Sequence, residues 1–210
     1  LGDRILVALP GVPRELRAML ERSVLPRLRQ LPGRRAIHTV TLRTIGLVEL
    51  HLERVLRRCR LPRTIQVGLY PHLDTVDLRL GATGFSLKAS RRRLAGPVAR
   101  LRRALGVAVY GTDEETLEGA VGKLLVWHHR TLAIAESCTG GLATSRITDV
   151  PGSSRYLRGS VIAYHNDLKR SFLMVPGVLL ERYGAVSAPV ATAMAEGIRR
   201  TAGADLGLSI

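Results

Sequence analysis

Three short apolar runs constrain this chain more than any other feature: "TLAIAE" at 131–136, "SVIAYHN" at 160–166 and "ADLGLSI" at 204–210. Each is too short for a buried helix, and stretches with helical spacing separate them. Strands that are apolar on both faces and alternate with helices predict a mainly parallel sheet in an α/β layer. The intervening segments fit. "TDEETLEGAVGKLLVWHH" opens on Thr112 and Glu115, the spacing of a capping box, and places Leu117, Val121, Leu124 and Leu125 on one helical face. A helix is predicted from Gly141 to Asp149, another at "DLKRSFLMV", a short one before "YGAVS", and one from Ala188 to about Thr201 with Ser187 as N-cap.

Residues 36–111 carry a different order. Strand patterns at "IHTVTLRTI", "TIQVGLY", "TVDLRLG" and "VAVYG" are interrupted by helices from about Val48 to Arg60 and from about Ser90 to Leu105. The order βαββαβ is that of a split-βαβ sandwich with its helices on one face of the sheet. Leu52, Val55, Leu56 and Cys59 form the buried stripe of the first helix, and Leu94, Val98, Leu101 and Leu105 that of the second. Pro97 is expected to kink the second helix or delay its start. Before residue 36, "RILVALPGVPRELRAML" predicts one strand, a Pro-Gly-Pro turn and a helix from Pro13. The fold class is therefore α/β: a segment at 1–35, a split-βαβ domain at 36–111 and an α/β domain at 112–210.

The net charge of +15 suggests a nucleic-acid partner until it is divided along the chain. Residues 1–112 hold 22 basic against 7 acidic side chains, and residues 113–210 hold 10 of each. The excess is almost entirely arginine, which reads as readily as a solvated surface as an electrostatic footprint. "GATG" at 81–84 mimics the clamp that KH domains place on nucleic acid, but it follows a strand instead of joining two helices, so it is expected to be a turn. Nucleic acid is thus not the favoured partner. No apolar run spans a bilayer and no secretory leader is visible, so no membrane partner is expected and the location is expected to be cytoplasmic. Cys59 and Cys138 show no metal or disulfide spacing, and neither a metal nor a cofactor is implied.

Chemistry concentrates in "AIAESCTGGLATSR" at 133–146. In an open α/β sheet, sites form at the carboxyl ends of strands. Ser137 and Cys138 sit there, ahead of the amides of Thr139, Gly140 and Gly141, which would begin a helix and could receive an oxyanion. The spacings of a Walker loop and of a GxSxG elbow are both missing. A tight turn capped by Ser137 or Thr139 would explain the residues equally well. "VIAYHNDLK" tilts the balance, because it brings Tyr164, Asn166 and Lys169 to the same edge. A desolvated lysine can take a proton from a serine, whereas arginine cannot. His165 is expected to point away and to be structural. Gly152, Ser153 and Ser154 in "PGSSRYLRG" could bind a polar ligand or cap a turn, and Cys138 stays open as a rival nucleophile.

"LAIAESCTGGLATSRITDVPGSS", "VIAYHNDLK" and "YGAVSAPVATAMAEGIRRTAGADLGLSI", in this order, resemble the C-terminal domain of the CinA family of competence/damage-inducible proteins. That domain is shared with stand-alone nicotinamide-nucleotide amidohydrolases of the PncC type. "LPGVPRELRAML" is similar to the close of the family's N-terminal molybdopterin-binding-like domain, and "LRTIGLVELHLERVL" and "VYGTDEETLEGAVGKLL" to its KH-like middle domain and the junction after it. The resemblance implies hydrolysis of the carboxamide of nicotinamide mononucleotide (NMN) without metal, giving nicotinate mononucleotide and ammonia. It also implies Ser137 as nucleophile, with Tyr164 and Lys169 as its catalytic partners. The expected substrate contacts are Thr139, Gly140, Gly141, Gly152, Ser153, Ser154 and Asn166, and the expected assembly is a homo-oligomer. His165 and Ala188 depart from residues common in the family without removing a catalytic group. In the family a glycine-rich loop follows the strand at 204–210, and a later arginine is expected on the substrate phosphate; residues 1–210 are accordingly expected to have weakened activity. The alternative reading is a non-catalytic nucleic-acid-binding or scaffold module built on the basic KH-like domain.

Overall fold

The computed structural model describes residues 5–31, 35–72 and 75–210. They divide into two compact units, Leu1–Val109 and Tyr110–Ile210. In the first unit a helical segment runs from α1 (Pro13–Met19) through a π-type stretch, Leu20–Val24, into α2 (Leu25–Arg29). The wide turn lies just ahead of Pro26, whose ring would collide with the carbonyl four residues back in a regular helix. The strand expected before it does not form among the described residues 5–10, and its expected start, Arg4, lies outside them. A strand exists only through ladder hydrogen bonds to a neighbour, and neither sheet includes this segment.

The βαββαβ order holds: β1 (Ala36–Ile45), α3 (Glu49–Cys59), β2 (Ile65–Pro71), β3 (Thr75–Gly84), α4 (Leu87–Leu105) and β4 (Val109–Thr112). The sheet order is β2-β3-β1-β4, with β3 antiparallel to both β1 and β2. Leu42, Leu78 and Leu80 point from one face of the sheet into a core with Leu52, Val55 and Cys59 of α3 and Leu94, Leu101 and Leu105 of α4. The α4 helix begins three residues earlier than its periodicity suggests. Ser86 is its N-cap, accepting the Ala89 amide at 3.2 Å, and Ser90 lies inside the helix, buried and donating to the Ala36 carbonyl at 2.6 Å. Pro97 is a buried residue within a helix that neither ends nor restarts there. "GATG" is not a turn. It is the last stretch of β3, with Gly81–Gly84 paired to Thr39–Ala36, so no loop remains to clamp a nucleic-acid backbone.

The second unit contains α5 (Leu117–Trp127), β5 (Leu132–Glu136), α6 (Leu142–Thr148), β6 (Leu157–Ile162), α7 (Asn166–Leu173), α8 (Gly177–Tyr183), α9 (Ala188–Thr201) and β7 (Leu206–Ser209). Its sheet is parallel throughout, in the order β6-β5-β7. Thr112 and Glu115 do bond, the Glu115 carboxylate accepting the Thr112 amide at 2.8 Å, but they close a turn ahead of the helix. The helix itself is capped by Thr116, which accepts the Gly119 amide, and Leu124 faces outward instead of joining the core. Similarly, β6 ends at Ile162 instead of reaching Asn166, because His165 accepts the Asp167 amide and starts α7.

The central strand β5 is buried along its whole length and sends alternate residues to opposite layers. Leu132 and Ile134 enter a cluster with Leu125, Ile147 and Tyr156. Ala133 and Ala135 enter another with Leu173, Val190, Met194 and Ile198. In that second layer α7 and α9 approach so closely that a Cβ on Gly197 would lie 1.9 Å from the Leu173 carbonyl oxygen. Gly197→Ala is expected to lower stability by about 1–3 kcal/mol or more. Urea unfolding of this variant against the parent chain checks the loss. Among the described residues no helix is long and apolar enough to cross a membrane.

Candidate active site

The alternation along β5 decides where its last residues go. Glu136 continues the Leu132–Ile134 side toward α6, and Ser137, one residue on, belongs to the opposite side, toward α7 and α9. There the Lys169 Nζ lies 3.0 Å from Ser137 Oγ. Lys169 is only 1% exposed although it stands on a helix, and it is among the largest fully buried side chains. Burial pushes its pKa down, an effect the neighbouring Cys138 opposes. Nζ also donates to the carbonyl oxygens of Ala163 at 2.6 Å and Tyr164 at 3.0 Å. Those two partners can only accept, so a neutral amine spends both its hydrogens on them. Its lone pair is then left for the Ser137 hydroxyl, which is the arrangement of a base hydrogen-bonded to the nucleophile it deprotonates.

Glu136 is the residue the sequence reading missed. It is completely buried, and its carboxylate accepts five hydrogen bonds. Oε2 takes the Thr139 hydroxyl at 2.6 Å and the amides of Gly141 and Ala143 at 3.0 Å each. Oε1 takes the amide and hydroxyl of Thr144 at 2.8 and 2.5 Å. Burial opposes ionisation, but the hydrogen bonds from Thr139, Thr144 and Ala143 overcome it and hold the pKa at about 2. The anion thus satisfies the first amides of α6 and fastens the turn that carries Ser137. A charged residue closing an apolar strand, with threonines three and eight positions on, was the available signal.

This arrangement changes the expected oxyanion site. The Gly141 amide is consumed by Glu136, and the Gly140 amide donates to the Ser137 carbonyl at 3.2 Å. Among the described residues, the amides of Cys138 and Thr139 are the ones in the turn that no acceptor takes. Both glycines are still needed for shape: they have φ of 59° and 103°, values that only glycine adopts without strain. The backbone of Ser137 is fixed on the other side, its amide donating to the Ile210 carbonyl at 2.7 Å.

The remaining candidates separate. Tyr164 follows β6 and reaches Lys169 through its carbonyl, while its side chain is 76% exposed. Asn166 is the exposed first residue of α7 on the same sheet edge. His165 caps that helix. Gly152, Ser153 and Ser154 stand apart from these residues. They form the turn that enters β6, and β6 runs parallel to β5, so they lie at the amino end of the sheet. A five-residue strand, about 15 Å long, separates that end from Ser137. A cleft of about 300 Å³ does open beside Ser137 and Cys138, walled by Val186, Ala188, Met194 and Ile210. Cys138 is exposed and free. Among the described residues no three His, Cys, Asp or Glu side chains group as a metal site.

Comparison with known proteins accounts for both units. Residues 114–210 match the model of the CinA C-terminal domain, and residues 39–111 that of the damage-inducible protein CinA KH domain. A CinA-like protein of Desulfotalea psychrophila is 40% identical over 210 residues, covering 99% of this chain and 51% of that protein. Another, from Gloeobacter violaceus, is 42% identical over 206 residues, covering 98% and 48%. The chain thus spans about half the length of these curated relatives. A solved structure of a CinA superfamily protein from Escherichia coli is 33% identical, covers 44% of this chain and 56% of that one, and superposes with a TM-score of 0.42. With two family models matched in order and relatives similar along nearly its whole length, the chain belongs to the CinA family.

Proposed function

We propose that the second unit is a serine amidohydrolase acting on the carboxamide of NMN. The observation that carries this reading is the 3.0 Å approach of a buried lysine amine to Ser137 Oγ at the carboxyl end of the central strand. Neutral Lys169 takes the Ser137 proton as Oγ attacks the carboxamide carbon. The tetrahedral oxyanion forms beside the Cys138 and Thr139 amides, the two left without an acceptor in this turn. Lys169, now an ammonium, returns its proton to the leaving nitrogen, and ammonia departs. Water, deprotonated by the same amine, then hydrolyses the acyl ester and frees nicotinate mononucleotide. Tyr164 acts through its carbonyl, which with that of Ala163 orients the amine.

The test is ammonia release from NMN by the protein in a form continuing past Ile210, where the family resemblance expects the phosphate-binding arginine. Cys138→Ala is expected to keep turnover within a few-fold, and Ser137→Ala to lose it. Turnover that survives Ser137→Ala and vanishes in Cys138→Ala would reassign the nucleophile. A fully folded protein that releases no ammonia would overturn the choice of substrate.

A further inference from the structure

The helix α4 of the first unit carries a charge distribution that folding does not account for. Over Leu87–Leu105 it has seven basic residues and no acidic one. Two of the seven serve the fold: Arg93 donates to the Thr83 carbonyl at 2.6 Å, and Arg100 to the Cys59 carbonyl, at the end of α3, at 2.8 Å. The other five, Lys88, Arg91, Arg92, Arg102 and Arg103, are exposed, and among the described residues none meets a carboxylate. Lys88 stands in the first turn, where a cation opposes the helix dipole. It also faces Arg91 and Arg92, three and four positions on, and such like-charge pairs cost helix stability.

An arginine-rich composition by itself does not produce this. Residues 113–210 hold 10 basic and 10 acidic side chains, and there Arg130, Arg146, Arg170 and Arg200 each lie beside a carboxylate. The fold also sorts the excess in space. The buried stripe of α4 runs through Leu94, Leu101 and Leu105, so at about 3.6 residues per turn its outermost row is Arg92, Gly96, Ala99 and Arg103. Basic groups therefore gather towards the two ends of the helix, about 15 Å apart, with small residues between them.

We propose that α4 docks on duplex DNA, lying across the major groove with Lys88, Arg91 and Arg92 on the phosphates of one edge and Arg102 and Arg103 on those of the other. The charges are complementary, and a helix about 10–12 Å across fits a groove about 12 Å wide. The deep, narrow major groove of duplex RNA does not admit one. A single strand calls for aromatic side chains on which its bases stack, and a membrane surface for apolar ones to bury; the outermost row has neither. This surface is a helix face and not the paired "GATG" stretch, and it does not depend on the NMN reading.

The test is fluorescence anisotropy of a labelled DNA duplex of about two helical turns, titrated with the whole chain. Five phosphate contacts predict a slope of log K against log[salt] of about −4 to −5, so raising KCl from about 50 to about 200 mM is expected to weaken binding roughly 10²–10³-fold. The double variant Arg92→Ala/Arg103→Ala should flatten the slope by about 2. Arg158→Ala/Arg182→Ala removes the same charge from exposed positions of the second unit and should leave the slope unchanged. Equal losses in the two double variants would overturn the proposal by reducing it to net charge, and so would a parental slope shallower than about −2. Tighter binding to a single strand of the same length, to duplex RNA or to vesicles of anionic phospholipid would overturn the choice of partner.

Discussion

Replacing Lys169 by methionine is expected to lower kcat/KM for NMN hydrolysis by roughly 10²–10⁴-fold, the usual contribution of a positioned general base. Methionine fills the buried channel at similar length, so the loss reports the amine and not a cavity. Lys169→Arg should be equally inactive, because a guanidinium keeps the charge and the donors but stays protonated. The two variants together separate base catalysis from simple charge. Only the neutral amine can accept the Ser137 proton, so activity in the parent chain is expected to rise with pH through the Lys169 pKa. Burial lowers that pKa, which brings the rise below the ordinary lysine range. In Lys169→Met this limb should vanish. Adding Ser137→Ala to Lys169→Met should cost little more, because nucleophile and base act as one unit. A pH–rate profile of the methionine variant that keeps the parental limb would remove Lys169 from the mechanism.

Glu136→Gln is expected to destabilise the second unit by about 3 kcal/mol, the equivalent of moving a carboxyl pKa from its ordinary 4.5 to about 2. The reason is geometric. If the new NH₂ takes the Oε1 position it faces the Thr144 amide, and if it takes the Oε2 position it faces the amides of Gly141 and Ala143. Threonine hydroxyls can turn to accept, but backbone amides cannot, so at least one donor is stranded in either orientation. For a unit of this size the melting temperature should fall by about 10 °C or more. The pH dependence has a defined sign. The folded-state pKa is depressed, so the stabilisation is complete above about 4.5 and is lost as pH falls through the window down to about 2. Urea unfolding of the parent chain should lose stability across that window, and Glu136→Gln should lack this contribution. Equal slopes in the two chains would show that the carboxylate carries no such linkage.

Much of this was legible in the chain itself. The βαββαβ order of 36–111 follows from local periodicity, and so does the stripe of Leu52, Val55 and Cys59. The parallel character of the second sheet follows from short strands that are apolar on both faces. Errors fell where a local signal has two structural answers. The helix expected from about Ser90 starts at Leu87, because a serine serves as well inside a first turn as before it, and here Ser90 donates to the Ala36 carbonyl of the sheet. Thr112 and Glu115 have the spacing of a capping box and use it one turn too early. The family resemblance puts "PGSSRY" among the substrate contacts, whereas in a parallel βαβ unit the loop entering a strand lies at the end opposite the loop leaving it.

The sequence by itself determined which chemical groups were available and which edge of the sheet could hold them: a serine at a strand end, glycines to turn the backbone, and one lysine in the following helix of an arginine-rich chain. Only the tertiary structure decided which of these groups meet. Lys169 is a buried amine instead of a solvated one because α7 packs it beneath the carbonyls of Ala163 and Tyr164, toward Ser137. Glu136 becomes the fastening of the turn because strand alternation sends it to the opposite layer, where the amides of α6 converge on it. Desolvation and the convergence of backbone groups are properties of the packed chain, and residue type and spacing do not encode them locally.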